Sequence, residues 1–146
     1  MANPVYLTLN GQRQGLISTG CSSLASIGNK AQLKHLDQIM VMSLNHGLSR
    51  VQNVNHLMLT FRKPVDKSSP LLSKAISENE CLTYDFDFYR TNRFGINEMY
   101  YRIKLSTARI AKIDLIVPHT ITSTQGQPEE SVSFTYESIS WEDRKS

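Results

Sequence analysis

The chain has 146 residues, 40% of them hydrophobic and 20% charged, with a formal net charge of +3. That length suits one compact domain spanning residues 1–146, since folding at this size buries roughly 70% of the unfolded surface, and the apolar content excludes disorder of the whole chain. Sixteen Lys and Arg against thirteen Asp and Glu, with no basic run, exclude a nucleic-acid or membrane-surface footprint.

The one dense basic spot, Arg62-Lys63 with Lys67, sits beside Asp66 and reads as solvated surface. Cys21 and Cys81 make neither a disulfide framework nor a CxxC pair. Both are expected reduced, with Cys81 packing rather than reacting. Met1-Ala-Asn-Pro-Val-Tyr lacks the basic and apolar regions of a secretory signal. No apolar run approaches the roughly twenty residues that cross a bilayer. The expectation is folding in the cytoplasm, no membrane insertion, and export only by some other carrier.

In chain order, the pattern is mostly of period two, the mark of half-buried antiparallel strands. Val5, Leu7 and Leu9 alternate with Tyr6 and Thr8 until Asn10-Gly11 supplies turn chemistry. Residues 18–36, with Gly20, Ser22, Ser23, Gly28 and Asn29, read as a loop. Ile39 to Leu44 forms a β-branched, Met-rich strand closed by His46-Gly47, and Gly47 to Asn55 reads as a polar loop. Leu57, Leu59 and Phe61 then alternate with Met58, Thr60 and Arg62 until Pro64, which cannot donate to a ladder.

The period then breaks. A short amphipathic helix is predicted over about residues 69–79, with Ser at its N-cap and Pro70 in its first turn. Leu71/Ala75 and Leu72/Ile76 are i,i+4 pairs that give it one narrow apolar stripe. Next, Tyr84, Phe86 and Phe88 alternate with Thr83, Asp85, Asp87 and Tyr89. A turn from Thr91 to Asn97 leads to Tyr101, Ile103 and Leu105 against Tyr100, Arg102 and Lys104, which predicts a hairpin. Ala111, Ile113, Leu115 and Val117 follow on one face, with Lys112 and Asp114 opposite.

Pro118 to Glu130 is a second loop. Val132, Phe134 and Tyr136 share a face, but Ile139 and Trp141 have the opposite parity. That flip predicts a β-bulge or a strand that changes sheets. The expected fold is mainly β: a small antiparallel barrel or sandwich of about eight strands with one short α-helix inserted.

Chemistry is harder to find. No GxxxxGKS/T, GxGxxG or GxSxG motif occurs. His35, His46, His56 and His119 lack metal-site spacing. His46 and His56 could meet across a hairpin, and both read as surface or interface residues. Asp85 and Asp87 project from one strand face and would suit a retaining glycosidase or a metal site. The polar-face reading is stronger, with Arg102 and Lys104 pairing them from the neighbouring strand. Cys81 with His119 is only a pairing of residue types. Tyr84, Phe86, Phe88, Tyr89, Tyr100 and Tyr101 read as core packing and subunit contact rather than base stacking. The residues themselves therefore point to no catalytic, cofactor or metal site.

Five stretches, in order, carry a resemblance. They are Pro4-Val-Tyr-Leu; Phe61-Arg-Lys-Pro-Val-Asp-Lys-Ser-Ser-Pro-Leu-Leu-Ser-Lys-Ala-Ile; and Tyr84-Asp-Phe-Asp-Phe-Tyr-Arg. Tyr100-Tyr-Arg-Ile-Lys-Leu-Ser and Val132-Ser-Phe-Thr-Tyr-Glu-Ser-Ile-Ser-Trp-Glu complete the set. Together they resemble the Hcp (TssD) family of type VI secretion. The resemblance implies two packed sheets with a helix on one side, in a structural tube protein with no enzyme activity or cofactor. It implies a homo-hexameric ring, stacked rings inside a sheath with spike and baseplate partners, small effectors in the lumen, and secretion by that machine. It also places ring stacking on the loop of Leu48, Arg50, Val51 and Val54, and the lumen wall at Ser43 and Asn45.

The chain departs from the family pattern at residues 18–36 and ends five residues after Trp141. A monomeric β-barrel binding module and a non-stacking secreted paralogue are the alternative readings.

Overall fold

The computed structural model describes residues 4–28, 35–119, 121 and 127–143. Its strands are β1 (Val5–Gly11), β2 (Gly15–Leu16), β3 (Ile39–Val41), β4 (Ser43–Asn45), β5 (Leu48–Arg50), β6 (Val54–His56), β7 (Leu59–Pro64), β8 (Leu82–Thr91), β9 (Asn97–Ile116) and β10 (Glu129–Asp143). The helices are α1 (Leu24–Ile27) and α2 (Ser69–Ser77). Eight strands form one antiparallel sheet in the order β2-β1-β8-β9-β10-β7-β4, with β3 also on β1. β5 and β6 form a separate two-stranded ribbon.

The expected mainly β, antiparallel architecture is what the chain adopts, but the sheet is not closed by hydrogen bonds. The strand expected from Ile39 to Leu44 is split at Met42. Its first half pairs with β1 and its second with β7, and the Met42 amide donates to the Arg62 carbonyl at 2.7 Å. One short segment thus joins the two edges of the curled sheet.

Period-two patterning accounts for the core. Leu7, Leu9, Leu59, Phe61, Leu82, Tyr84, Phe86, Leu105, Val132 and Phe134 are buried together. Phe61 stacks on Phe134 at 5.5 Å and meets Phe86 edge-on at 5.4 Å, contacts worth about 0.5–1.5 kcal/mol each beyond their area. Helix α2 buries Leu72 and Ala75 and lays Leu71 and Ile76 against the same cluster. It stops at Ser77, two residues short of the expected end, where Asn79 takes φ +52°. Ser68 occupies the N-cap position without a side-chain cap bond, because its hydroxyl is engaged by Asp66 instead.

The parity flip of the last strand lies opposite an irregularity in β9. Between Tyr136 and Ile139 the partner residues run from Ala108 to Leu105 through Thr107, which has φ +52°. There β9 carries an extra residue against β8. A second shift, between Ser133 and Phe134, leaves Ala111 unpaired with β10. These bulges and the 20-residue length of β9 correct one expectation. Leu115 and Val117 are not core residues. Leu115, near the end of β9, is 64% exposed, and Val117, just after the strand, is also exposed. Ala111 is likewise exposed, and only Ile113 of that expected face packs inward. Leu57 also lies outside the core, since β7 starts only at Leu59.

Candidate functional site

Two surfaces and two buried clusters hold the residues singled out by sequence. The first is the β5–β6 ribbon. Its register sets Leu48 against His56 and Arg50 against Val54, leaving residues 51–53 as the tip. The stretch expected as loop is therefore a projecting hairpin. Leu48 and Val54 are exposed and Val51, at its tip, is 97% exposed; Arg50 is exposed as well. A Cβ on Gly47 would stand 2.8 Å from Leu57 Cδ1, so that exposed side chain would have to shift. The Leu57 amide donates to the Gly47 carbonyl at 3.1 Å.

The second surface is the outward face of β4, β7, β10 and β9. Ser43 lies beside Arg62, which lies beside Ser131, and Asn45 lies beside Thr60, which lies beside Ser133. Lys112 and Asp114 continue these rows onto β9 and form an ion pair. Leu44, between Ser43 and Asn45, packs inward. Alternation thus produces a wall of small and polar groups without an exposed large apolar side chain on those rows. Thr60 and Ser133 hydroxyls bond at 2.9 Å, and Arg62 pairs with Glu129 at 3.0 Å.

The third surface, at the far end of β7, escaped sequence reasoning. Val65, Leu115 and Val117 are exposed there. Pro64, Val65, Ile27 and Pro128 line an open groove of about 220 Å³. Alternation set Leu115 and Val117 on one face with Ile113, and the pattern does not show where a strand leaves the barrel.

Asp85 and Asp87 do not make a catalytic pair. Asp87 is buried, bonded to Arg102 Nε at 2.6 Å and to Gln38 Nε2 at 3.2 Å. That hydrogen bond raises the Arg102 pKa. Asp85 lies opposite Lys104, and burial pushes its carboxyl above the usual range, opposed by Arg102 and Lys104. Of the pairings expected for a polar face, Arg102 with Asp87 is an ion pair, whereas Lys104 is only in register with Asp85 and stays exposed; the face is covered at Asp87. His35 stacks on Tyr6 at 3.9 Å, and Gln38 bridges Thr8 and Asp87.

The basic spot beside Asp66 is also not solvated. Lys63 is fully buried, and its ammonium has Asp66, Glu130 and the Pro64 carbonyl within 3.0 Å and the Ser69 hydroxyl at 3.2 Å, more acceptors than its three N–H groups need. Adjacent strands and the entry to α2 fold around it because β7 places Lys63 directly opposite Glu130. Both cysteines are free. Burial and the neighbouring Asp66 push the Cys21 thiol up to about 12, so it is inert at neutral pH.

Among the described residues no cluster of three or more His, Cys, Asp or Glu could hold a metal, and no helix is long and apolar enough to cross a membrane. His46 and His56 do meet, both at the Tyr136 hydroxyl.

A projecting ribbon with exposed apolar side chains and a wall of small and polar groups, with the charged pairs buried or bonded, are the surfaces this fold offers to other proteins. A family model described as "Type VI secretion system effector, Hcp" matches residues 6–142. A crystal structure of an Hcp protein superposes with a TM-score of 0.91 at 32% identity, covering 97% of this chain and 92% of its own. The major exported protein of Pseudomonas aeruginosa is 35% identical, over 97% of this chain and 89% of its own length. YhhZ of Escherichia coli K12, described as uncharacterized, is 41% identical over 95% of this chain, which spans only 34% of its length. The chain belongs to the Hcp family of type VI secretion, a family of secreted tube proteins and not of enzymes.

Proposed function

We propose that this chain forms homo-hexameric rings that stack head to tail into the inner tube of a type VI machine and carry small effectors in the lumen. The tube would be propelled by the sheath, with spike and baseplate proteins as further partners, and would leave the cytoplasm by that route. The observation that carries this reading is a pair of unlike apolar surfaces at opposite ends of β7. The ribbon stands before Leu59, and the rim of Val65, Leu115 and Val117 follows Pro64. A repeating head-to-tail contact needs two such different patches, and it generates open filaments.

Two further features support a ring. Beyond Phe134, β10 loses its β7 partner and presents an open strand edge, which closure with a neighbour would cover. The β8–β9 hairpin exposes Phe94 and Ile96 at its tip, while Arg90 packs over the Tyr100 ring at 4.7 Å. The wall carrying Ser43 and Asn45 suits a channel lining, since it meets water when empty and varied cargo when filled.

Light scattering at micromolar concentration should give a hexamer, and a monomeric mass would sink the ring. Val51→Asp with Val54→Asp should keep hexamers and unfolding free energy within about 0.5 kcal/mol of wild type, because surface changes rarely cost more. Tubes in negative stain and secretion should both disappear. Rings that fall apart would assign the ribbon to the ring contact instead. Wild-type hexamers that never stack would identify a non-stacking secreted member of the family.

A further inference from the structure

The foot of the β5–β6 ribbon is held by one phenol. Tyr136 Oη donates to the Leu57 carbonyl at 3.1 Å. It also meets Nε2 of His46, and Nδ1 of His56 at 3.4 Å. A hydroxyl offers one donor and two lone pairs. With its proton given to Leu57, Oη has two lone pairs left, enough to accept one N–H from each neutral imidazole. His46 precedes β5 and His56 ends β6, so both roots of the ribbon are pinned to β10 through one atom. The imidazoles stand 5.7 and 5.8 Å from the Tyr136 ring, and His46 also faces Trp141 at 6.5 Å.

We propose that His46, Tyr136 and His56 form an acid-sensitive latch that holds the ribbon while both imidazoles are neutral and frees it when both are protonated. The latch is a property of the ribbon itself; only its consequence, loss of ring stacking in acid, rests on the function proposed above.

The charged and titratable groups around it come from three directions. β10 supplies Tyr136 and, beside His56 in an open groove with Ser138 and Ile139, Glu137. β6 supplies His56 facing His46, and β8 supplies Tyr84, whose phenol is pushed up by burial first and then by Tyr136. Two imidazolium groups directed at one oxygen repel each other, and the second proton must be bound against the first. Burial first, and then the charge of His56, lowers the pKa of His46. A histidine lowered in the folded state stabilises it above the unfolded value of 6.5 and loses that contribution as pH falls through the folded value. The ribbon is accordingly held at neutral pH and released on acidification.

Hydrogen exchange of the full chain, corrected for the intrinsic pH dependence of exchange, reads the latch directly. Between about pH 7.5 and about pH 5, across the histidine range, amides of residues 48–56 should lose roughly tenfold or more of their protection. Those of β8 and β9 should keep theirs. His46→Gln combined with His56→Asn retains side-chain N–H donors but no proton-binding nitrogen, and its ribbon protection should not change with pH. Tyr136→Phe removes the shared acceptor and should show the released ribbon already at neutral pH. Unchanged wild-type protection across the range overturns the latch, as does a double variant that still loosens in acid.

Proton NMR titration of the wild type needs no variant to fold. His46 should titrate below its ordinary value, and a His46 curve at the ordinary value would overturn the proposal. Tube formation followed in parallel separates the two readings. Tubes lost in acid with the ribbon still protected overturn latch control of stacking. A ribbon released in acid by a protein that forms no tubes at any pH upholds the latch and sinks the stacking reading.

Discussion

Lys63 sits in a sequence context of charges and prolines that suggests water, yet its side chain is fully buried between Asp66 and Glu130. Asp66 faces it from the turn into α2, and Glu130 from the paired strand. Lys63→Ala removes the only cation of that cluster and leaves two carboxylates in the interior. Breaking a buried pair from one side costs about 3–5 kcal/mol, and urea unfolding should show a loss of that size. Asp85 behaves oppositely. Burial holds its folded pKa above the unfolded value of 3.8. Its stabilising contribution is therefore complete below that value and is lost as pH rises through the folded one. Asp85→Asn should abolish this part of the pH dependence and be at least as stable as wild type at neutral pH. A large loss of stability in denaturant unfolding would show that the carboxylate is needed, which the geometry does not support.

Among the elements, α2 shows how a short helix survives in a β protein. Nine residues are too few for helical stability in water, so the helix depends on burying Leu72 and Ala75 against β9 and the core. Leu72→Ala should cost about 2–5 kcal/mol by the transfer and cavity terms together. Thermal unfolding reads it, and the serine-rich outer face (Ser73, Ser77) should tolerate substitution. The ribbon is a contrasting case. Its backbone pairs only with itself, and its apolar side chains point outward. Its worth lies in contact with something else, which is why changes at Val51 are expected to spare folding.

At the scale of the whole molecule, curling one sheet creates an inner face of aliphatic and aromatic residues and distinct outer faces. One is covered by residues 35–38, and another is the wall of Ser43, Asn45, Thr60 and Arg62. If the wall lines a channel, Ser43→Arg or Asn45→Arg places six cations around the lumen of a hexamer. Basic cargo should then be repelled, while rings still form because neither side chain packs against the core. Co-purification of an effector with wild-type and variant hexamers measures this. Unchanged effector binding by both variants would remove these residues from the lumen.

Strand alternation, the Ser-Pro helix start and the ordered Tyr, Phe and Trp stretches sufficed, from sequence alone, for the fold class, the helix and the family. Each is a local rule: a side chain's face follows from its parity, and a helix start from its own turn. The burial of Lys63, the exposure of Leu115 and Val117, and the meeting of His46 and His56 at Tyr136 were decided by tertiary structure. Parity says which face a side chain takes but not what covers it. The bulges in β9, the overhang of the long strands and the return of the ribbon onto β10 depend on contacts between residues far apart in the chain.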